Sequence, residues 1–360
     1  TRDYYRVMMQ LAPLLRDGHT NIYPPKDLFE DFYARPPLRT ERLAGKVYIT
    51  RVASASLAQR IHVGDEITAI DGIPVERYAN EQVAPFVSSS TPQDREVRMY
   101  TYQLLSGDAK QPVRLTLRSA EGTIRTATVD RDGYTDLIGT PEFEFRMLPH
   151  QVAYLALDHF ETDAGVKAME AAMPQILQAK ALVLDLRHNG GGSSQYGLEI
   201  LSHLIAGPIQ TAQSRYRGES GWLRTFAGKE GEIRWDHVPG SDEPFVMERK
   251  AHFSGPVALL IGPQTFSAAE DFVMYFDNAK RGILVGSATA GSTGQPLMFG
   301  LPGGGTARIC VKRDTYPDGR EFVGKGISPN VAVTTTIAAI RSGADPVLSR
   351  AIEELLKSRN

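Results

Sequence analysis

The sequence predicts an α/β protein in two parts: a layered α/β core and, ahead of it, a small β-rich module. Three observations carry this. The runs "ALVLDLR" (181–187) and "PVALLIG" (256–262) are almost unbroken apolar stretches of strand length, as expected for parallel strands buried on both faces. Helix-like segments alternate with such runs from residue 151 onward, the order that builds α/β layers. Between about 40 and 135, short alternating runs are separated by turn residues, the signature of antiparallel strands.

In chain order, residues 4–16 carry apolar residues at helical spacing and "RDG" ends them. "YPPKDLFEDFYARPPLR" is Pro-rich and reads as a connection. "KVYITRV" and "DEITAIDG" are predicted strands with a short helix, "SLAQR", between them. Residues 111–132 predict a hairpin turning at "SAEGT". From 151 the order is a strand "VAYLALDHF", an amphipathic helix "DAGVKAMEAAMPQILQAK", the strand "ALVLDLR" and a Gly-rich turn into the helix of "HNGGGSSQYGLEILSHLI". Then come "PVALLIG", the helix after Ser267, and "GILVGSAT". The stretch 207–255 is polar and Gly-rich, carries Trp222 and Trp235, and reads as a long loop region of the kind that is often functional. The expected organisation is an N-terminal helical segment (1–39), the β-rich module (40–135), the α/β domain (136–345, with 207–255 as a variable insert) and a C-terminal helix (346–360).

Bulk properties narrow the function. A chain of 360 residues exceeds what one core usually holds. Apolar content of 42% and charged content of 23% are ordinary for a soluble globular protein. A net charge of −2 with no basic block argues against nucleic acid and against an anionic membrane patch. No apolar run approaches the ~20 residues of a membrane span. Cys310 is the lone cysteine, so no internal disulfide forms. No H-E-x-x-H and no cysteine cluster appears, and neither metal nor cofactor is expected. The chain opens at Thr1 with neither methionine nor a signal-peptide pattern, so a trimmed N-terminus is expected.

Two features carry chemistry. In "LDLRHNGGG" three glycines follow a buried strand. They permit backbone conformations and close approaches that a Cβ would block. Exposed N–H groups at the start of a helix would suit an oxyanion there, and a plain tight turn would look the same. The segment has neither the G-x-G-x-x-G spacing nor the P-loop lysine. In "IGPQTFSAAEDFVMYF", Ala269, Phe272, Val273 and Phe276 mark the buried face of a helix, and Ser267 stands just before it. A serine at that place caps the helix, with Glu270 completing a capping box, or acts as a nucleophile whose oxyanion is steadied by the Ala268 N–H. The segment is not a G-x-S-x-G elbow. Among eight histidines, His19 stands in a Gly-containing turn, "RDGHT", after a helix, and loops hold catalytic groups more often than their share.

Together these pieces resemble the C-terminal processing peptidase superfamily, which includes tail-specific proteases and the tricorn core protease. "LVLDLRHNGGG", "GPQTFSAAE", "VGSATAGSTGQ" and "YPDGREFVGKGISPNV" match its signatures in order, and "HVGDEITAIDGIPV" resembles the core of a PDZ domain. The resemblance implies a layered α/β catalytic core on a mixed sheet, crotonase/ClpP-like, plus a PDZ-like domain. It implies a serine endopeptidase with Ser267 as nucleophile, and an oxyanion hole made by Ala268 with Gly190 or Gly191. Ser292, Gly294 and Gln295 would border the substrate, a peptide or unfolded protein, as would the Trp-bearing insert. An oligomer is compatible with it. The family is mostly exported in bacteria, which implies a periplasmic or envelope location.

The departures sharpen the assignment. Members with a Ser–Lys dyad carry a lysine where this chain has Ser292, and no lysine lies between Arg281 and Lys312. The tricorn-like branch uses a histidine from an N-terminal turn, which selects His19 as general base. An acid near the closing signature completes that branch; Val323 stands at the aligned position, and Glu321, two residues earlier, is the candidate on the same strand face. The PDZ carboxylate-binding loop is missing, with "PPLRTERLAGKVYI" in its place, so the module reads as a lid or spacer. The competing readings are a binding protein on the same fold, as in interphotoreceptor retinoid-binding protein, and a PDZ scaffold with an inert α/β half.

Overall fold

Strands Ala181–Asp185 and Val257–Ile261 are buried at every residue, and their unbroken apolar sequence leaves them no stable place except the middle of a sheet. The computed structural model, which describes residues 1–135, 137–138, 141–218, 226 and 234–357, puts them there. The chain divides into two compact units, one of residues 142–297, 309–332 and 351–360, the other of residues 1–141, 298–308 and 333–350. Residues 1–39, expected as a separate segment, fall in the same unit as 40–135.

The first of these units is built on a six-stranded sheet. Its strands run in the order Val331–Ala332, Ile283–Gly286, Val257–Ile261, Ala181–Asp185, Val152–Leu157, Phe143–Leu148. The first five pair in parallel and the last is antiparallel, so the sheet is mixed. Leu184 is in register with Leu155 on one side and Leu259 on the other, and Leu259 in turn with Leu284. This row of leucines spans four strands. Helices Ala164–Ile176, Ser194–Leu201 and Ala268–Asn278 cover the sheet connections. Phe160 and Phe272 stack at 5.7 Å inside the core.

Two expectations change here. Ala268–Asn278 was expected to be amphipathic, yet every residue from Ala268 to Phe276 is buried, Glu270 and Asp271 included. The two carboxylates are inside because neighbouring loops use them as acceptors, as shown below. The stretch 207–255 was expected as loop. Instead Gln213–Arg217 and Trp235–His237 pair antiparallel and join Lys312–Thr315 in a three-stranded sheet. Strands of charged and aromatic residues with exposed faces carry no apolar period, and their partner lies far along the chain. Trp222 lies outside the described residues.

The other unit holds an antiparallel sheet in the order Leu38–Leu43, Lys46–Val52, Glu66–Ile70, Val113–Arg118, Ile124–Val129. Val47 and Ile49, and Leu115 and Leu117, alternate inward, and a register shift after Ile67 lets Ile67 and Ile70 join them in the core. The expected hairpin is present, with Val113 to Arg118 in unbroken register against Val129 to Ile124. "SLAQR" reduces to a single 3₁₀ turn at Leu57–Gln59. The N-terminal helix is Arg2–Met9, followed by a 3₁₀ turn at Ala12–Leu15. Asn21–Tyr23 pairs antiparallel with residues 306–308, a union invisible from local pattern. The C-terminal helix, Pro346–Lys357, begins in this unit, and its residues from 351 on are counted with the first. No helix among the described residues is long and apolar enough to cross a membrane.

Candidate active site

In a parallel sheet, ligands bind beyond the carboxyl ends of the strands, where the connecting loops gather. Four adjacent parallel strands end at Leu157, Asp185, Ile261 and Gly286. The loop after Asp185 carries the three glycines, and the loop after Ile261 carries Ser267.

Residues 265–267 are held from both sides. The Thr265 hydroxyl donates to Leu186 O at 2.8 Å, and the Phe266 N–H donates to Asn189 O at 3.0 Å. On the other side the Ala290 N–H donates to Thr265 O at 3.0 Å, and the Ser267 N–H donates to Ser292 O, also at 3.0 Å. So clamped, Ser267 adopts φ 58° and ψ −126°. This region is essentially reserved for glycine and costs a side-chain-bearing residue on the order of 1–3 kcal/mol. It is also incompatible with the extended backbone of an N-cap, and Ser267 makes no side-chain cap bond to its helix. The capping box, one of the two readings of Ser267, is therefore not formed. A serine placed on a strained strand-to-helix turn is how α/β-hydrolases expose their nucleophile; here the conformation appears without the G-x-S-x-G sequence.

The triglycine lies against this turn. Gly191 has φ +96°, and a Cβ added to it would stand 2.7 Å from Phe266 O, 2.8 Å from Ser267 Cβ and 3.0 Å from Ala268 N. Gly192 has φ +135°, and a Cβ there would overlap the Phe160 carbonyl. Both positions require glycine for approach as well as for torsion. The Gly190 N–H donates to Asp158 O at 3.3 Å, and the Gly191 N–H to Asn189 Oδ1 at 2.9 Å. Ala268 is the first residue of its helix, where an N–H has no intrahelical acceptor.

At the end of the preceding strand, Asp185 receives Arg187 Nε at 3.0 Å and the Tyr154 hydroxyl at 2.9 Å. Burial alone would raise the Asp185 carboxyl, but the charge and hydrogen bonds of Arg187, with His188, hold it below the ordinary range. This ion pair fixes the start of the glycine loop. Acid and base at the end of a buried strand are themselves a signal of this pair in the sequence.

Glu270 is fully buried and accepts three bonds: the Thr289 hydroxyl at 2.6 Å, the Gly291 N–H at 2.6 Å and the Ser292 N–H at 2.7 Å. It thus holds the loop whose Ser292 carbonyl takes the Ser267 N–H. Asp271 accepts from Ser194 Oγ at 2.6 Å and Thr293 Oγ1 at 2.8 Å, tying the helices on either side of the site. Burial raises Glu270 to about 7, and burial with the nearby Asp314 raises Asp271 to about 6 despite Lys312. An acid whose folded pKa exceeds its unfolded one binds more protons when folded, so its contribution to stability is present at low pH and is lost as pH rises through the folded value. Wild type is therefore expected to lose stability between about pH 5 and pH 7 relative to Glu270→Gln, measured by urea denaturation at each pH. A difference that stays constant across that window would contradict the assignment.

The remaining expected residues are placed as follows. Ser292 is fully buried, with its backbone N–H on Glu270 and its carbonyl on Ser267. Gly294 packs where a Cβ would stand 2.5 Å from Cys310 Sγ, and Gln295 is exposed. Glu321 is exposed and forms ion pairs with Arg313 and, at 3.9 Å, with Lys325. Trp235 carries the Arg313 guanidinium 5.5 Å from its ring centroid. In the other unit, His19 is 3% exposed in a turn set by Asp17, whose Oδ1 accepts the His19 N–H and the Thr20 hydroxyl, both at 2.9 Å. The Gly18 N–H donates to Ser90 Oγ at 2.9 Å.

Comparison with known proteins identifies the family of the chain. Residues 151–333 match the model of peptidase family S41. The chain is 24% identical over 352 residues to a carboxyl-terminal-processing protease of Picosynechococcus sp., covering 92% of this chain and 74% of that protein. It is 23% identical over 297 residues to one from Synechocystis sp., covering 81% and 60%. The chain thus spans 60–74% of the length of these two relatives. Among solved structures, mature CPAF complexed with lactacystin has a TM-score of 0.73 at 18% identity, covering 98% of this chain and 87% of that one. The photosystem II D1 C-terminal processing protease has a TM-score of 0.51 at 19% identity, covering 97% and 88%. At these identities the structural likeness concerns the fold. The family match covers just over half of the chain and includes the triglycine, Ser267 and the closing signature; the chain belongs to peptidase family S41 and is a serine peptidase.

Proposed function

We propose that the chain is an endopeptidase in which Ser267 is the nucleophile and His19 the general base. The observation that carries the reading is the backbone of Ser267, held in a glycine-only conformation at a helix N-terminus with Gly191 packed against it. Strain of this kind persists where the surroundings over-determine it, and it concentrates at active sites.

In the proposed cycle Ser267 Oγ attacks a peptide carbonyl while His19 takes its proton. The oxyanion is bound by the Ala268 N–H and by one from Gly190 or Gly191. The 3.3 Å bond of Gly190 is the longer of the two and the more readily exchanged. His19 then protonates the leaving amine, and water resolves the acyl-enzyme. Glu321 is proposed as the acid behind His19 from its place beside the closing signature. Ser292, Gly294 and Gln295 belong to the loop proposed to flank the substrate, Ser292 through its backbone.

The antiparallel sheet of residues 38–129 supports reading 40–135 as a PDZ-like module, and the unit of residues 142–297 and 309–332 is proposed as the body of the catalytic domain expected at 136–345. Relatives that are carboxyl-terminal-processing proteases support a polypeptide substrate cut near its C-terminus. Bacterial relatives of that name also support an exported, envelope location. The test of the nucleophile is labelling by a fluorophosphonate probe. Native protein is expected to label at Ser267 and heat-denatured protein not at all. A native protein that stays unlabelled, with no peptide turnover, would return the chain to the binding-protein class.

A further inference from the structure

Asn189 stands immediately before the three glycines and is fully buried. Its N–H donates to Leu186 O at 3.1 Å, and it makes three further hydrogen bonds, each to a different segment of the site. Its Nδ2 donates to Leu157 O at 2.8 Å, at the end of the neighbouring strand. Its Oδ1 accepts the Gly191 N–H at 2.9 Å. Its own carbonyl accepts the Phe266 N–H at 3.0 Å, one residue before Ser267. The Gly191 bond is an Asx-turn, in which a side chain reproduces a backbone turn two residues on. It shapes the turn that brings Gly191 against Ser267.

We propose that Asn189 is a positioning residue of the peptidase reaction, setting where the glycine turn and its N–H donors stand relative to the Ser267 hydroxyl. The inference rests on the reading of Ser267 as the nucleophile. The carboxamide suits the task because it offers one acceptor and a donor in a fixed plane. The acceptor is spent on the turn and the donor on the strand end. An alanine leaves the Gly191 N–H and the Leu157 carbonyl without this partner. The Phe266 bond survives any substitution, because it uses the backbone. What moves is therefore the glycine turn rather than the serine, and small misplacements of groups that act in the transition state are costly, about a hundredfold for roughly 1 Å.

The experiment compares wild type, Asn189→Ala and Asn189→Asp using quenched-fluorescent casein for turnover and a fluorophosphonate for labelling, with thermal unfolding followed in parallel. Asn189→Ala is expected to lower kcat by about ten- to a hundredfold, with KM within about twofold and labelling slowed to match, at temperatures where it remains folded. Asn189→Asp carries its own signature. As a carboxylate it accepts from Gly191 but cannot donate to Leu157 O. When protonated it again has one donor and one acceptor. Its activity relative to wild type is therefore expected to rise as pH falls, while the ratio for Asn189→Ala stays flat. A purely structural role would move the melting temperature without a kcat loss or a pH-dependent ratio.

Wild-type kcat in Asn189→Ala, or a loss that follows the unfolded fraction, would overturn the proposal. So would an Asn189→Asp ratio that does not change with pH. If wild type labels at Ser267 and Asn189→Ala labels equally fast, the positioning role alone fails. If wild type does not label, the nucleophile assignment fails and takes this inference with it.

Discussion

Ser267→Gly is expected to give a protein more stable than wild type and without measurable peptide hydrolysis. Ser267 stands at φ 58° and ψ −126°. Glycine adopts such torsions without steric cost, although it adds about 0.5–1 kcal/mol of backbone entropy to be lost on folding. Against on the order of 1–3 kcal/mol of relieved strain, the net gain is about 1 kcal/mol. Ser267→Ala keeps a Cβ and hence the strain, so it should be less stable than Ser267→Gly. Both variants lose the attacking oxygen, and kcat should fall by roughly 10⁴-fold or more. Urea denaturation and turnover of a quenched peptide read the two effects separately. Turnover near wild type in either variant would remove Ser267 from the chemistry. A glycine variant less stable than the alanine variant would show that the backbone stores no strain there.

His19→Ala is expected to reduce turnover by a comparable roughly 10⁴-fold while leaving its turn in place. The turn is held by groups other than the imidazole: Asp17 Oδ1 takes the His19 N–H and the Thr20 hydroxyl, and Ser90 Oγ takes the Gly18 N–H. Because the side chain is buried, its removal leaves space and should cost roughly 1–3 kcal/mol of stability. Residual activity in the variant should climb with pH, as hydroxide replaces the missing base. Glu321→Gln should weaken wild type and cost nothing further in the His19→Ala background if it acts through the histidine. Full activity of His19→Ala at neutral pH would send the search to another base.

The sequence disclosed the parts whose signals are local. Ala181–Asp185 and Val257–Ile261 announced themselves as buried parallel strands, because an apolar run needs burial wherever it ends up. Ser267 and the glycines were visible as special for the same reason: each sits at a junction between a strand and a helix. What stayed hidden was pairing at a distance. Glu270 stood three residues after a serine and looked like half of a capping box, but its acceptors are used by Thr289, Gly291 and Ser292. No local rule contains those partners. Asn189 was legible as a letter of the glycine motif, and its three-way bonding was not, since two of its partners, Leu157 and Phe266, lie on other loops. The strands Gln213–Arg217 and Trp235–His237 were masked by charge, because strands with solvated faces lack the period that marks a core strand.

The loop beside Ser267 is itself fastened by residues that come later in the chain. The Ile327 N–H donates to Thr289 Oγ1 at 2.7 Å, and the Thr289 N–H returns to Ile327 O at 3.1 Å. The Gly324 N–H donates to Gly291 O at 2.7 Å, and Val331–Ala332 closes the sheet edge against Ile283–Gly286. A ribosome making this chain produces the serine about sixty residues before it produces those clasps, and a nascent chain cannot assemble contacts with residues not yet translated. The proposed site around Ser267 therefore takes shape only once residues 324–332 have been made, and a peptidase whose cutting geometry waits for those residues is spared from attacking the segments made before them.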